Sequence, residues 1–123
     1  MGIDTERLNQ IVQTFVTETP HVQGVALVTT EGLPIAATLP PALEEARTAA
    51  MAAAVITLGD NIGQTLQRGD IEHIWLEGSE GYSILTRCSS ETLLMVLASA
   101  QVKQGILMLE IRRVTADILE VLT

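Results

Sequence analysis

The chain has 123 residues, and its 15 acidic and 7 basic side chains give a formal net charge of −8. A nucleic-acid interface needs a positive surface that displaces counterions from phosphates, so this charge argues against direct DNA or RNA binding. At this length a chain buries roughly two thirds of its unfolded surface. We therefore expect one domain over residues 1–123, with a core that needs no metal or disulfide.

The cysteine count and the N-terminal sequence bear on the cellular compartment. Cys88 is the only cysteine, so it has no intramolecular disulfide partner, and two histidines are too few for a Cys/His metal cage. The N-terminal residues lack the basic, apolar and small-residue order of a secretory signal, and no apolar run reaches the roughly 20 residues of a membrane span. Glu6 also breaks the myristoylation pattern. We expect a cytoplasmic protein without direct membrane insertion.

The first predicted elements are a helix over residues 4–18 and a β-hairpin over residues 22–38. The helix is amphipathic, and Asp4 stands where it can cap the N-terminus. The hairpin strands are rich in branched apolar residues, and Gly32 in the turn between them is free to take a positive φ. Pro34 has no amide hydrogen, so we expect the second strand at a sheet edge or the proline near the strand start.

A long helix is predicted over residues 43–68, with Gly69 as the residue that follows its end. Its large apolar residues advance by three or four positions and form one stripe. The stripe comprises Met51, Val55, Leu58, Ile62 and Leu66. Alanines widen the stripe and allow another backbone to come close, so we expect this helix to pack on two sides.

Three strands and a closing helix are predicted in the last third of the chain, over residues 71–77, 82–87, 93–99 and about 104–122. None of these strands alternates cleanly between apolar and polar residues, which indicates a sheet covered on both faces. The order of elements is therefore αββαβββα, and all of them share one core.

No pattern in the chain indicates catalysis. The nucleotide-binding P-loop requires a Gly-Lys pair, which the sequence lacks. A nucleophilic Cys88 would need a histidine base, yet His21 stands at the start of a predicted strand and His73 lies within one. We predict that the protein is not an enzyme and uses no cofactor. Two carboxylate pairs are interpreted as solvated charge rather than acid/base groups: Glu44 with Glu45, and Glu77 with Glu80.

Four segments together resemble the roadblock/dynein light chain family. Residues 25–36, an apolar strand followed by a Gly turn and a short second strand, are similar to the first hairpin of that family. Residues 81–85, 93–97 and 105–113 are similar to its last two strands and its closing helix. The alanine-rich helix also fits, and the resemblance covers about residues 4–122.

This resemblance implies a longin-like α/β (α+β) sandwich, in which a five-stranded antiparallel sheet carries the long middle helix on one face and the two terminal helices on the other. Family members typically dimerise by joining their third strands edge to edge, with the two long helices paired on the same axis. Such a homodimer would remove an exposed strand edge, although a heterodimer remains open. The implied interface residues are Ile71, His73, Trp75, Ala50, Ala54 and Gly59.

The resemblance also implies a function by binding. Bacterial and archaeal relatives commonly act with small Ras-like GTPases, and eukaryotic relatives are dynein light chains or scaffold subunits for GTPases. We therefore predict a non-catalytic regulator or scaffold of a small Ras-like GTPase. The alternative is a structural adaptor, of the dynein or polarity-complex kind, that leaves nucleotide turnover unchanged. The candidate partner-binding residues lie early in the long helix: Glu44, Arg47, Thr48 and Met51.

Two further features leave alternatives open at this stage. Trp75 and Tyr82 are amphipathic aromatics, which occur both at partner hot spots and in cross-strand packing. No arginine finger for a GTPase can be assigned: nothing in the sequence singles out Arg47 or Arg68 on the long helix, and Arg112 and Arg113 in the closing helix are expected to face solvent.

Overall fold

A computed structural model describes residues 3–123 of the chain. The predicted order αββαβββα is confirmed, and the observed ends lie within a few residues of the predicted ones. Among the described residues, none of the helices combines the length and the hydrophobicity of a membrane span. The elements are α1 (Thr5–Glu18), β1 (Val22–Thr29), β2 (Pro34–Thr38), α2 (Glu45–Thr65), β3 (His73–Gly78), β4 (Gly81–Arg87), β5 (Thr92–Ser99) and α3 (Gln104–Leu122).

The five strands form one antiparallel sheet in the order β2-β1-β5-β4-β3. The two hairpins therefore lie on either side of a central β5, and β2 and β3 are the edge strands. Pro34 is the first residue of the edge strand β2, as its missing amide hydrogen predicts. Gly32 takes φ of 94° in the preceding turn, a conformation that favours glycine.

Helices cover both faces of the sheet, as the strand pattern predicts. On one face, α1 and α3 pack against the sheet through residues such as Leu8, Val12 and Ile111, all of which are fully buried. On the other face, α2 packs alone through Ala49, Ala52 and Ile56 and their contacts with β1, β4 and β5. The sheet is thus the middle layer of a three-layer sandwich.

The helix termini follow local capping rules, with one difference from expectation. The Asp4 carboxylate accepts a hydrogen bond from the amide of Arg7 (3.1 Å), which caps α1 as predicted. At the end of α2, Gln67 rather than Gly69 takes the left-handed C′ position, with φ of 58°. The amide of Gln67 bonds the carbonyl of Gln64, and the next amide along the chain bonds the carbonyl of Gly63. This double hydrogen bond is a Schellman motif, which ends α2 before the predicted residue 68.

Candidate protein-binding surface

The helix α2 turns its smallest residues toward the sheet. A Cβ atom built on Gly59 would stand 2.8 Å from Cδ1 of Ile74, and one built on Gly63 would collide with the carbonyl oxygen of Gly69. With Ala49 and Ala52 also fully buried, the small residues let the helix backbone approach the sheet closely. The small side of α2 therefore faces the sheet, and packing on its other side stays a prediction.

Apart from the buried Ile56, most of the large apolar residues on and just after α2 point outward. Met51, Leu58, Ile62 and Leu66 are 50%, 61%, 47% and 60% exposed, so the predicted stripe exists but faces away from the core. Only Val55 is partly buried against the core of this face. Clustered large aliphatic side chains at this exposure are typical of a surface that binds another protein.

The edge strand β3 leaves backbone hydrogen-bonding groups free. The amide of Arg87 donates a hydrogen bond to the carbonyl of Glu72 (3.1 Å). Because hydrogen-bonded and non-hydrogen-bonded residue pairs alternate along β3 and β4, this bond shows which residues of β3 are bonded to β4. By that alternation, the N–H and C=O groups of His73, Trp75 and Glu77 point away from β4. No strand within residues 3–123 pairs with this side of β3. An open edge of this kind is a template for a strand from another chain.

The stripe and the open edge lie on the same side of the molecule. One flank of α2 contacts Ile74 beneath Gly59, and the opposite flank lies against the β1–β2 turn at Gly32. Each residue of an α-helix is rotated by 100° about the helix axis from the one before it. On this basis the side chains of Met51, Leu58 and Ile62 leave the helix between the direction that faces away from the sheet and the flank that lies over β3. Leu76, on the α2 face of β3, is also 47% exposed. We call this region the open-edge surface: the stripe residues Met51, Leu58, Ile62 and Leu66, together with Leu76 and the free edge of β3.

An ion pair holds α2 over this edge. The Arg87 guanidinium contacts both carboxylate oxygens of Asp60 at 2.8 and 2.9 Å, and its Nε donates to the carbonyl of Ile71 at 3.3 Å. One nitrogen, Nη2, reaches both oxygens, and together with the Nε bond this ties the second half of α2 to β4 and to the segment that leads into β3. Arg87 and Asp60 are 27 positions apart, so no local pattern in the sequence predicts their contact.

Trp75 and Tyr82 pack against each other across β3 and β4. Their ring centroids are 6.0 Å apart in an edge-to-face arrangement, and both rings are partly buried against the core under α1 and α3. The Tyr82 hydroxyl lies 3.5 Å from a carboxylate oxygen of Glu77, and Nδ1 of His73 lies 3.2 Å from the Thr86 hydroxyl. Cross-strand packing therefore accounts for both aromatic rings.

The structure places the predicted binding residues at different depths. Glu44, Arg47 and Met51 are exposed at the start of α2. Thr48 differs from the other three, because it is buried on the sheet side and its hydroxyl donates to the carbonyl of Glu44 at 2.8 Å. A partner-binding role for these four residues stays a prediction.

The residues predicted for the dimer interface also lie in different surroundings. Ala50 and Ala54 are exposed on the outer side of α2, and His73 and Trp75 lie on the open edge. Ile71 is half-buried against the flank of α2. At Gly59 the missing side chain makes room for Ile74 of the same chain, so its small size serves packing against the sheet. Its predicted place in a dimer interface stays a prediction.

The polar groups considered for catalysis do not form a reactive centre. Burial raises the pKa of the Cys88 thiol to about 12, which keeps it protonated near neutral pH. Nδ1 of His21 lies 3.2 Å from the hydroxyl of Ser99, which pairs with Gly81 at the turn end of the β3–β4 hairpin, whereas His73 pairs with Thr86 at its other end. Within the described residues, no group of three or more histidine, cysteine and acidic side chains could hold a metal ion.

A groove of about 890 Å³ lies between α1 and α3, on the face opposite α2. Apolar side chains, including Ile11, Phe15 and Ile106, line its floor, and charged residues of both signs line its rim. Sequence reasoning missed this groove, because it depends on the spacing between two helices that are distant in the chain.

The comparisons with known proteins agree with this geometry. A family model described as the Roadblock/LC7 domain matches residues 8–98. The chain belongs to the Roadblock/LC7 family. An uncharacterised protein of Methanocaldococcus jannaschii is 27% identical over 101 residues, which cover 82% of this chain and 88% of that protein.

Two solved structures have the same fold. A Roadblock/LC7 domain from Streptomyces avermitilis matches with a TM-score of 0.85 at 22% identity, over 93% of this chain and 96% of that chain. MglB from Myxococcus xanthus matches with a TM-score of 0.91 at 14% identity, over 99% of this chain and 92% of that chain. At these identities the two structures support the fold of this Roadblock/LC7 protein and not a particular partner.

Proposed function

We propose that this Roadblock/LC7 protein is a homodimeric, non-catalytic regulator or scaffold of a small Ras-like GTPase. The open-edge surface is the observation that carries the proposal. It combines exposed aliphatic side chains on α2 with an unpaired strand edge, and both features are costly to leave in water. A second copy can cover both at once.

The homodimer follows from the geometry of that surface. In a two-fold arrangement the same patch meets itself, so β3 pairs with β3 and the outward stripe of α2 contacts its copy. The opposite edge is not suited to such pairing, because β2 is short, begins with Pro34 and has α1 packed against it. The proposed dimer therefore joins through one edge and does not extend further along the sheet.

A GTPase is proposed as the partner because the Roadblock/LC7 family is one of regulatory and adaptor proteins that act with such enzymes. In the proposed dimer, the exposed Glu44, Arg47 and Met51 would remain near the start of the paired α2 helices. A partner that binds there with different affinity in its two nucleotide states would have its switch loops shifted toward one of them. No catalytic group is needed for this effect.

The arginines of the chain also fit a regulator that binds without supplying a finger. Arg87 is held by Asp60, and Arg113 pairs with Glu110 at 3.1 Å. Nε of Arg68 donates to the carbonyl of Leu66 at the end of α2. Arg47 is the exposed arginine closest to the proposed contact region, and we propose a binding role for it.

The test mixes the purified protein with a small Ras-like GTPase of the same organism and follows binding, nucleotide exchange and phosphate release. We expect binding together with a change of roughly fivefold or more in one of the two rates, which is the usual size of such coupling. Arg47→Glu should weaken binding, whereas Arg112→Glu, the same charge change on the opposite face, serves as the matched surface control. Binding with unchanged rates would identify a structural adaptor instead.

A further inference from the structure

The open edge of β3 restricts how two copies can pair. Only the backbone groups of His73, Trp75 and Glu77 point outward, because the residues between them bond β4. In an antiparallel two-fold pair, outward residues must lie opposite outward residues. Three registers pair at least two of the outward residues of each copy, with the axis at position 74, 75 or 76.

The number of backbone hydrogen bonds differs between these registers. With the axis at Trp75, each of the three outward residues faces an outward residue of the second copy, and up to six hydrogen bonds form. With the axis at position 74 or 76, one outward residue of each copy lies opposite a position outside β3, and four bonds form. Ile71 lies before the start of β3, and its carbonyl already accepts a hydrogen bond from Nε of Arg87 at 3.3 Å.

The side chains favour the same register. With the axis at Trp75, His73 lies opposite Glu77 of the second copy, so an acid faces the only histidine of the strand. On the α2 face, the exposed Leu76 lies opposite Ile74 of the second copy in a non-hydrogen-bonded pair, where side chains come closest. The two tryptophans meet on the axis.

The neighbouring registers bring unlike groups together. An axis at position 74 puts Leu76 opposite Glu72 of the second copy and leaves an apolar side chain beside a charge. An axis at position 76 puts Glu77 opposite Trp75 of the second copy and separates the acid from His73. The number of backbone hydrogen bonds and the matching of facing side chains are independent criteria. Both favour the register with its axis at Trp75.

We infer that two copies of this chain pair their β3 strands antiparallel about an axis at Trp75, with His73 of each copy opposite Glu77 of the other. This inference rests on the proposed homodimer and adds the register of its central strand pair. It assigns His73 and Glu77 the role of setting that register, since a shift in either direction separates them.

Single cysteine substitutions on the full chain decide between the registers. A residue on the two-fold axis lies opposite itself, with Cα atoms about 4.5 to 5.5 Å apart, which suits a disulfide. Trp75→Cys should therefore give a covalent dimer under mild oxidation, whereas Ile74→Cys and Leu76→Cys should not. The unsubstituted chain is the matched control, because its own Cys88 is buried.

A mixed experiment covers the case in which Trp75→Cys does not fold. Chains with His73→Cys and chains with Glu77→Cys are purified separately, mixed and oxidised. The inferred register predicts a cross-link in the mixture and none within either chain alone. Glu77 is exposed and His73 half-buried, so neither substitution removes a core side chain.

A charge exchange tests the pairing without cysteines. His73→Glu places two carboxylates opposite each other at both ends of the strand pair, and we expect the dimer to weaken roughly tenfold. Adding Glu77→His to that variant restores opposite partners only in the inferred register, and should return the affinity to within about threefold. Glu80→His, outside the strand, is the control that should not rescue.

The outcomes separate the register from the dimer itself. A cross-link of the Trp75→Cys chain to itself supports the inferred register. So does a cross-link that forms only when the His73→Cys and Glu77→Cys chains are mixed. Cross-linking at position 74 or 76 overturns the register and leaves the homodimer standing. A dimer in sedimentation without any of these cross-links removes β3 from the interface, and a monomer contradicts the proposed homodimer as well.

Discussion

The two sides of α2 carry side chains of opposite size, and the larger ones face outward. Toward the sheet the helix presents Ala49, Ala52 and Gly63, with Ile56 as its main large core residue. Away from the sheet it presents Met51 and the rest of the stripe. In a helix that serves only its own fold, the large aliphatic side is the one that is buried. This inversion is the reason for proposing a partner on the outward side. Each of the following changes compares the effect of a substitution on one side of the helix with its effect on the other.

The largest effect is expected on the outward side. Leu58→Glu puts a charge into the centre of the proposed helix pair, twice in each dimer, and should weaken association by about 100-fold or more. Sedimentation over a concentration series measures this change. The fold of the separated chain should persist, because Leu58 is 61% exposed there. A Leu58→Glu chain that dimerises as well as the parent chain would remove α2 from the interface.

On the inward side, Ile56→Ala should lower the free energy of unfolding by about 2–4 kcal/mol, since it leaves a cavity beneath α2. Urea unfolding in the Leu58→Glu background measures this loss without a contribution from association. Leu66→Ala in the same background is the control for the outward side and should change stability by less than about 0.5 kcal/mol. Equal losses at the two positions would contradict the assigned orientation of α2.

The two glycines on the inward side should respond differently to alanine. At Gly63 the added methyl group meets the backbone carbonyl of Gly69, which cannot rotate away, and we expect a loss of about 1–3 kcal/mol. At Gly59 it meets the end of the Ile74 side chain, which can shift, and alanine gains about 1 kcal/mol of helix propensity. Gly59→Ala should therefore be nearly neutral. Thermal unfolding of the two variants side by side checks the contrast.

The smallest effect concerns the ion pair that holds α2 in place. Asp60 is 42% and Arg87 24% exposed, so solvent weakens their attraction. We expect a coupling of about 0.5–1 kcal/mol in a double-mutant cycle of Asp60→Asn and Arg87→Gln, measured by urea unfolding. A coupling near zero would mean that apolar packing alone orients the helix.

The sequence predicts the elements and their order because these depend on local patterns. Asp4 caps α1, and Pro34 stands at the start of an edge strand, for reasons that a few neighbouring residues supply. The even apolar character of β5 likewise indicates its burial on both faces.

The orientation of α2 could not be predicted in the same way. Periodicity shows that a stripe exists, but which side of a helix meets the sheet depends on the space between them. Thr48 and Gly59 were assigned to partners for this reason, whereas the structure turns both toward the sheet. Contacts between distant segments, such as Asp60 with Arg87, give no local signal either.

The association state of the unmodified chain is the most direct test of the account. Sedimentation velocity at micromolar concentration should show one species at twice the 13.2 kDa mass of the chain. A single species at 13.2 kDa across that range would contradict the claim that the open-edge surface is covered by a second copy.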